Sequence, residues 1–210
     1  MLIDTHVHTN RYSACSRMSP EELIFAAKVF GLDGVVITEH NIIWEAWEID
    51  NLKAKTGAGD FVVLRGQEAR VYNKGKLQGD LLVFGFYESL KDDISLEELI
   101  PRVHQAGGVV IAAHPFRGDL GIGQAVYEAD LDGIEVFNSN HGVRENLLAR
   151  EAQIKLGLAA TGGSDAHTPA YVGNYLTYFD DRIENETQLV QAIKQKRCKP
   201  VTYTEVKGKG

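Results

Sequence analysis

The sequence predicts an α/β fold: a single domain whose mainly parallel sheet closes, or nearly closes, into a barrel. About seven extended runs alternate with helical stretches along 210 residues, which is enough chain for one domain with a sizeable core. Two runs, GVVIT at 34–38 and VVIAA at 109–113, are apolar on both faces, as a sheet covered by helices requires. In such barrels the active site lies at the carboxyl ends of the strands.

Each element has its own signal. The predicted strands are Leu2–His6, Gly34–Thr38, Phe61–Tyr72, Asp80–Phe86, Val109–Ala113, Gly133–Phe137 and Leu158–Thr161. Helices are predicted from Pro20 to Gly31, Ile42–Lys55, Ser95 to Gly107, Val143–Leu156 and Glu186–Lys196. Ser19 with Glu22, and Ser95 with Glu98, have the spacing of capping boxes. The Gly-rich NKGKLQG segment predicts a hairpin within 61–86 instead of a helical crossover.

Composition excludes several classes of protein. The net charge of −7, from 22 basic and 29 acidic residues, argues against binding of duplex nucleic acid through phosphate contacts, but permits a small phosphorylated substrate. The apolar runs are too short to cross a bilayer and the start does not resemble a secretory signal, so we expect a cytoplasmic protein without a membrane partner. Cys15 and Cys198 fit no metal or redox spacing. We expect the domain to span 1–205 and a flexible tail 206–210.

Histidines gather at the predicted strand ends. Five of the seven lie at or just past such an end, and Glu68 and Asp165 occupy comparable positions. The histidines concerned are His6, His8, His40, His114 and His167. His6 and His8 are two residues apart, so a strand directs both to one face. Imidazole and carboxylate together suit Zn, Mn or Fe, and this many ligands exceeds the needs of one ion, which favours a cluster of two or three divalent ions.

The remaining two histidines differ in their setting. His104 lies within a predicted helix, where a structural role is expected. His141 lies in the loop NSNHG, and its role stays open between structure and substrate contact.

Four ordered motifs carry a resemblance to a known family. DTHVHT, ITEH, AAHP and GSDAH, in this order and spacing, resemble the polymerase and histidinol phosphatase (PHP) family over nearly the whole chain. The resemblance implies a distorted (β/α)7, TIM-like barrel in a small stand-alone form. It also implies a metal-dependent phosphoesterase with a trinuclear cluster at the barrel mouth, in which a metal-bridging hydroxide attacks phosphorus.

The resemblance implies a ligand set by motif position. His6, His8, Glu68 and Asp165 would bind the first ion, and Glu68 would bridge to a second ion that His114 also binds. His40 and His167 would hold a third. Glu68, Asp165 and His114 are the implied catalytic residues.

Three departures from the family pattern bear on the site. Many relatives carry an acidic residue about five positions after the second histidine, where this chain has Ser13 or Ala14, so the third ion lacks a ligand. Many also carry a histidine in the second strand of the hairpin, where Asp80 is the obvious substitute and would favour a harder ion such as Mn²⁺. About 18 residues separate HPF from GIEVF, too few for a lid insertion, so we expect an open site.

Arginine offers the bidentate geometry that suits phosphate, and Arg117 is the first candidate, followed by Arg144 and the loop residue His141. The main hypothesis is therefore hydrolysis of a phosphomonoester or a short phosphodiester, possible substrates including a nucleotide. Two alternatives stay open: exonuclease-type trimming of short oligonucleotides, and a non-catalytic metal-binding interaction module. Substrate, metal identity, the general acid and the oligomeric state do not follow from the sequence.

Overall fold

A computed structural model describes residues 1–90 and 93–207. The strands are β1 (Leu2–Val7), β2 (Gly34–His40), β3 (Val62–Asn73), β4 (Lys76–Phe84), β5 (Val109–Ala112), β6 (Gly133–Asn138), β7 (Ala159–Gly163), β8 (Tyr175–Phe179) and β9 (Cys198–Thr202). The helices are α1 (Pro20–Val29), α2 (Ala46–Thr56), α3 (Leu96–Gln105), α4 (Val143–Leu156), α5 (Glu186–Lys194) and α6 (Tyr203–Lys207). The predicted tail overlaps the end of α6, and residues 208–210 lie outside the described residues.

All these strands form one sheet in the order β7-β6-β5-β4-β3-β2-β1-β8-β9. The sheet curves until its first and seventh strands meet: the amide of His8 donates to the carbonyl of Ala166 at 3.0 Å, and the amide of Asp165 donates to the carbonyl of His6 at 2.7 Å. These bonds nearly close the barrel and confirm the predicted fold class. They also join the first motif of the chain to the last.

The predicted hairpin is present, and two strands were not predicted. β3 and β4 pair antiparallel across the Lys74-Gly75 turn. β8 pairs antiparallel with the start of β1 and with β9, so this edge of the sheet departs from the alternating pattern. β9 contains Pro200, which weakens its strand signal in the sequence.

The helix boundaries differ from the prediction mainly at α2. Both capping boxes form, Ser19 with Glu22 and Ser95 with Glu98. The expected start of α2 at residue 42 was wrong, because Asn41 has a φ of 57° and the amide of Ile43 donates to the Ser89 hydroxyl at 3.2 Å. Bonds to a neighbouring loop thus replace the first helical turn.

Apolar side chains fill both the interior and the outside of the sheet. One buried cluster packs α1 and α2 on β2, and another packs α3 and α4 on the far strands. A third includes Ile3, Phe84 and Ile111 with Leu189 and Ile193 of α5, and it fills the end opposite the histidines. Within the described ranges, no helix combines the length and the apolar character that crossing a membrane requires.

Candidate metal centre

The carboxyl ends of the barrel strands bring together residues from the whole length of the chain. His6 lies in β1, His40 in β2 and Glu68 in β3, whereas His8, His114 and Asp165 lie within two residues after the ends of β1, β5 and β7. Four overlapping groups of three have ligand atoms within 4.8 Å of one another, and together they contain His6, His8, His40, Glu68, Asp80, His114, Asp165 and His167. Every residue that the sequence predicted as a metal ligand therefore lies in one continuous cluster.

Two carboxylates lie close to the paired imidazole nitrogens of His6 and His8. Nε2 of His6 and Nε2 of His8 lie 3.1 Å apart. The Glu68 carboxylate lies 3.4 Å from Nε2 of His6 and 3.3 Å from Nε2 of His8, and Oδ1 of Asp165 lies 3.6 and 3.3 Å from the same two nitrogens. Ligand atoms placed about 2.1 Å from a tetrahedral ion are about 3.4 Å from each other. The spacing of this group therefore fits one divalent cation.

Glu68 extends the cluster to both sides. Its Oε1 lies 2.8 Å from Nε2 of His114, and its Oε2 lies 2.9 Å from Nδ1 of His40. Asp80 also reaches the group of Glu68 and His114. However, both Asp80 oxygens accept hydrogen bonds from Arg70, from Nε at 2.9 Å and from Nη2 at 3.1 Å. Arg70 thus competes with any cation for the Asp80 carboxylate.

Three imidazoles form the outer group. The ring of His8 lies between those of His40 and His167, at centroid distances of 4.5 Å to each. His40 and His167 are partly exposed, whereas His8 is buried. The loop after β1 brings Cys15 next to this group, and its Sγ lies 3.3 Å from Nε2 of His40.

The surroundings shift the pKa values of the inner residues in opposite directions. Burial lowers the pKa of His8 to about 4, so this imidazole is neutral at neutral pH and its lone pair is free for a cation. Burial also opposes a positive charge on His6. The carboxylates of Glu135 and Asp165 outweigh this effect and raise the pKa of His6 well above its usual value. Despite burial, His6 holds the pKa of the Glu68 carboxyl and that of the Asp165 carboxyl below their usual ranges.

A second layer of polar residues orients the cluster. The buried Glu135 on β6 accepts from the His114 amide at 2.8 Å, and its Oε1 lies 2.9 Å from Nδ1 of His6. Such a contact orients the His6 ring and would leave its other nitrogen, Nε2, for a cation. Behind His8, the Ser13 hydroxyl lies 3.3 Å from Nδ1 and donates a short hydrogen bond to Glu39. Ser13 therefore supports His8 from behind.

Glycine allows this close packing. A Cβ added at Gly163 of β7 would overlap Cβ of His6 and lie 2.7 Å from Oε1 of Glu135. The first strand and the last barrel strand can therefore approach each other only where the side chain is absent.

Arg117 lies beside the metal ligands. Its Nη1 donates to Oδ2 of Asp165 at 3.0 Å, and Nδ2 of Asn140 donates to the same oxygen at 2.8 Å. The Arg117 side chain is partly exposed. Arg144 is exposed at the start of α4, and none of the described contacts joins it to the cluster.

The two remaining histidines occupy different environments. The ring of His141 lies 6.1 Å from that of His114, Nδ1 lies 3.0 Å from Oδ1 of Asn146, and Nε2 is buried without a described hydrogen-bond partner. His141 therefore borders the cluster. His104 lies on α3, where its Nε2 is 2.8 Å from Oδ2 of Asp132, and it is not part of the cluster.

These side chains are better arranged to bind a cation than to contact one another. Glu68 and Asp165 direct two carboxylates at one point, and two imidazole nitrogens only 3.1 Å apart can share at most one proton between them. Buried like charges of this kind need a counter-charge. Divalent ions bound by His6, His8, Glu68 and Asp165, with His114 and His40 on either side, would supply it.

Sequence reasoning missed several supporting residues. Glu135 and Glu39 each lie within an apolar strand run, GIEVF and VVITEH, where a carboxylate is unexpected and is itself the signal. Cys15 and Asn140 gave no comparable signal, because loop conformation alone brings them to the cluster.

Comparisons with known proteins agree with this architecture. Residues 143–198 match the family described as PHP-associated. A Methanocaldococcus jannaschii protein, itself uncharacterized, is 29% identical over 160 residues, which cover 70% of this chain and 88% of that protein.

Solved structures share the fold at low identity. A two-domain Bacteroides vulgatus protein containing a predicted PHP-like metal-dependent phosphoesterase has a TM-score of 0.73 at 16% identity, covering 96% of this chain and 64% of that one. An amidohydrolase from Chromobacterium violaceum with bound sulfate has a TM-score of 0.65 at 17% identity, covering 98% and 99% of the two chains. Fold and cluster thus define a barrel protein with a candidate metal centre at its strand ends. The chain thus has the fold of PHP-like proteins, and its residues 143–198 match the PHP-associated family, in agreement with the resemblance of its four motifs.

Proposed function

We propose that this protein is a metal-dependent phosphoesterase acting on a phosphomonoester or a short phosphodiester. The observation that carries the proposal is the group of His6, His8, Glu68 and Asp165, in which both carboxylates lie within 3.6 Å of the two imidazole nitrogens. When bound, two or three divalent ions would supply Lewis acidity toward phosphoryl oxygen and a water of lowered pKa. Mn, Fe and Zn all suit mixed imidazole and carboxylate ligands.

The residues of the chain divide the remaining work. Glu68 lies between the His6–His8 pair and His114, so its carboxylate would bind both the first ion and the ion that His114 binds. His114 and Asp165 would each bind one of these two ions, and Glu135 would hold the His6 ring in its orientation. Arg117 would bind the outer phosphate oxygens with the N–H groups that do not donate to Asp165.

Two observations support a phosphate ester as substrate: the position of Arg117 and the sulfate bound by a protein of similar fold. Sulfate has the tetrahedral shape of phosphate, and the Chromobacterium violaceum protein binds it. The net charge of −7 favours a small substrate over a long nucleic acid. We expect it to work in the cytoplasm on a small phosphorylated molecule, with no duplex nucleic acid and no membrane partner.

A panel of four chromogenic or labelled substrates tests the proposal. Metal-free protein is reconstituted separately with Mn²⁺, Fe²⁺ and Zn²⁺, and then assayed on p-nitrophenyl phosphate, bis-p-nitrophenyl phosphate, p-nitroacetanilide and a short single-stranded oligonucleotide. We expect metal-dependent turnover of a phosphate ester, abolished by EDTA, and no amide hydrolysis.

Each alternative has its own outcome in the same panel. Faster turnover of the oligonucleotide than of either small ester would replace the proposal with exonuclease-type trimming. Hydrolysis of the anilide alone would indicate an amidohydrolase. Stoichiometric metal binding without turnover of any substrate, with all three ions, would indicate a non-catalytic metal-binding module.

A further inference from the structure

The outer group of the cluster differs from the inner one in its chemistry. It consists of three imidazoles, those of His8, His40 and His167, and it lacks a carboxylate of its own. Neutral imidazoles alone leave the charge of a divalent ion uncompensated. The residue that approaches this group from the solvent side is Cys15.

The orientation of His40 leaves one ring nitrogen facing Cys15. Its Nδ1 lies 2.9 Å from Oε2 of Glu68, and its Nε2 lies 3.3 Å from Sγ of Cys15. The ring nitrogen of His40 on the side of the sulfur is therefore Nε2.

The distance between these two atoms fits a shared ion. Zinc lies about 2.3 Å from a thiolate sulfur and about 2.0–2.1 Å from an imidazole nitrogen, so the two ligand atoms are about 3.5 Å apart in a tetrahedral site. The observed separation of 3.3 Å is close to this value. A small movement of the exposed Cys15 side chain would complete the geometry.

We propose that Cys15 is a further ligand of a cation bound by His40 and His167. The inference rests on the proposed function, because this ion belongs to the same cluster. On binding, the S–H bond breaks, the sulfur keeps the electron pair and binds the ion, and the proton passes to solvent. A thiolate selects Zn²⁺, Fe²⁺ or Co²⁺ over Mn²⁺, so this position prefers a softer ion than the carboxylate-rich inner positions.

The second cysteine is a matched control. Cys198 begins β9 and is partly buried, and its Sγ donates to the carbonyl of Ala160 at 3.6 Å. Burial raises the pKa of its thiol to about 12, so it stays protonated at neutral pH. Cys198→Ser therefore removes a thiol without touching the cluster.

Cobalt titration of the metal-free full chain tests the proposal without relying on activity. A thiolate bound to Co²⁺ gives an intense charge-transfer band in the near ultraviolet, which imidazole and carboxylate ligands do not give. We expect this band in the wild type and in Cys198→Ser. In Cys15→Ser we expect the band to disappear and the amount of bound cobalt to fall by about one equivalent per chain. Cys15→Asp should bind as much cobalt as the wild type but lack the charge-transfer band, because a carboxylate replaces the thiolate.

The outcomes separate this inference from the proposed function. Full cobalt stoichiometry in the wild type without the band, or a band that persists in Cys15→Ser, would overturn the role of Cys15 and leave the phosphoesterase proposal intact. A wild type that binds no cobalt, zinc or manganese would overturn both. Circular dichroism of each variant establishes that a lost band is not lost folding.

Discussion

Nε2 of His8 lies 3.3 Å from Oδ1 of Asp165, although the two residues come from opposite ends of the chain. The contact exists because β1 and the segment after β7 meet at the closure of the barrel. Asp165 has a φ of 50°, a conformation that Asn also tolerates. Asp165→Asn is therefore the mildest substitution that removes the charge from the centre of the cluster.

Asp165→Asn should lower the affinity for Zn²⁺ or Mn²⁺ by more than the roughly 10–100-fold that supporting residues typically contribute, because a direct ligand loses its charge. Isothermal titration with each metal measures the effect. Asp50→Asn, an exposed change on α2, should leave the affinity unaltered. Equal affinities for the wild type and Asp165→Asn would remove Asp165 from the ligand set.

Glu135→Gln tests the layer behind the ligands. Glutamine keeps the size of the side chain but weakens the contact to Nδ1 of His6, which is 2.9 Å from the carboxylate. We expect metal affinity to fall about 10–100-fold with little change in the far-ultraviolet circular dichroism spectrum. Glu151→Gln on the exposed face of α4 is the control. Unchanged affinity would mean that His6 keeps its orientation without Glu135.

Arg117→Ala tests phosphate binding. Loss of one charged hydrogen-bonding partner costs about 1.5–3 kcal/mol, which corresponds to a rise in KM of roughly 10–150-fold for a phosphate ester. Arg144→Ala, an exposed change outside the described contacts of the cluster, should leave KM unaltered. Metal content is measured on each variant, because Arg117 also donates to Asp165. A KM equal to that of the wild type, at full metal content, would exclude Arg117 from substrate binding.

Asp4 makes stability depend on pH. Burial raises the pKa of its carboxyl from 3.8 to about 6, although the amides of Ser164 and Gly173 donate to it at 2.9 Å. The folded state thus holds this proton more tightly than the unfolded state. The stability that the fold gains from this proton on Asp4 is fully present below pH 3.8 and is lost as the pH rises through about 6.

Asp4→Asn isolates this effect because asparagine does not titrate. We expect the free energy of unfolding of the wild type, relative to Asp4→Asn, to fall by up to about 3 kcal/mol between about pH 4 and pH 7. Urea unfolding of metal-free protein at several pH values measures the difference. A difference that does not vary with pH would show that Asp4 has the same pKa in both states.

Local sequence signals sufficed for the alternating strands and helices and for the capping boxes. They failed where distant segments supply the partners. Helix α2 starts at Ala46 because the backbone of residues 41–43 bonds to neighbouring loops. β8 forms because the edge of β1 offers it a partner, and β9 in turn pairs with β8; no local pattern reveals these edges.

The sequence by itself determined which residues could bind cations, since His6 and His8 share a strand face and each later motif ends a barrel strand. Tertiary structure alone decided how these residues meet. Closure of the barrel set the 3.3 Å between His8 and Asp165, and the fold of the loop after β1 placed the Cys15 thiol against the His40 ring. Periodicity fixes the direction of a side chain within its own strand. The distance to a side chain on another strand depends on strand register and loop conformation, which arise only when the whole sheet packs.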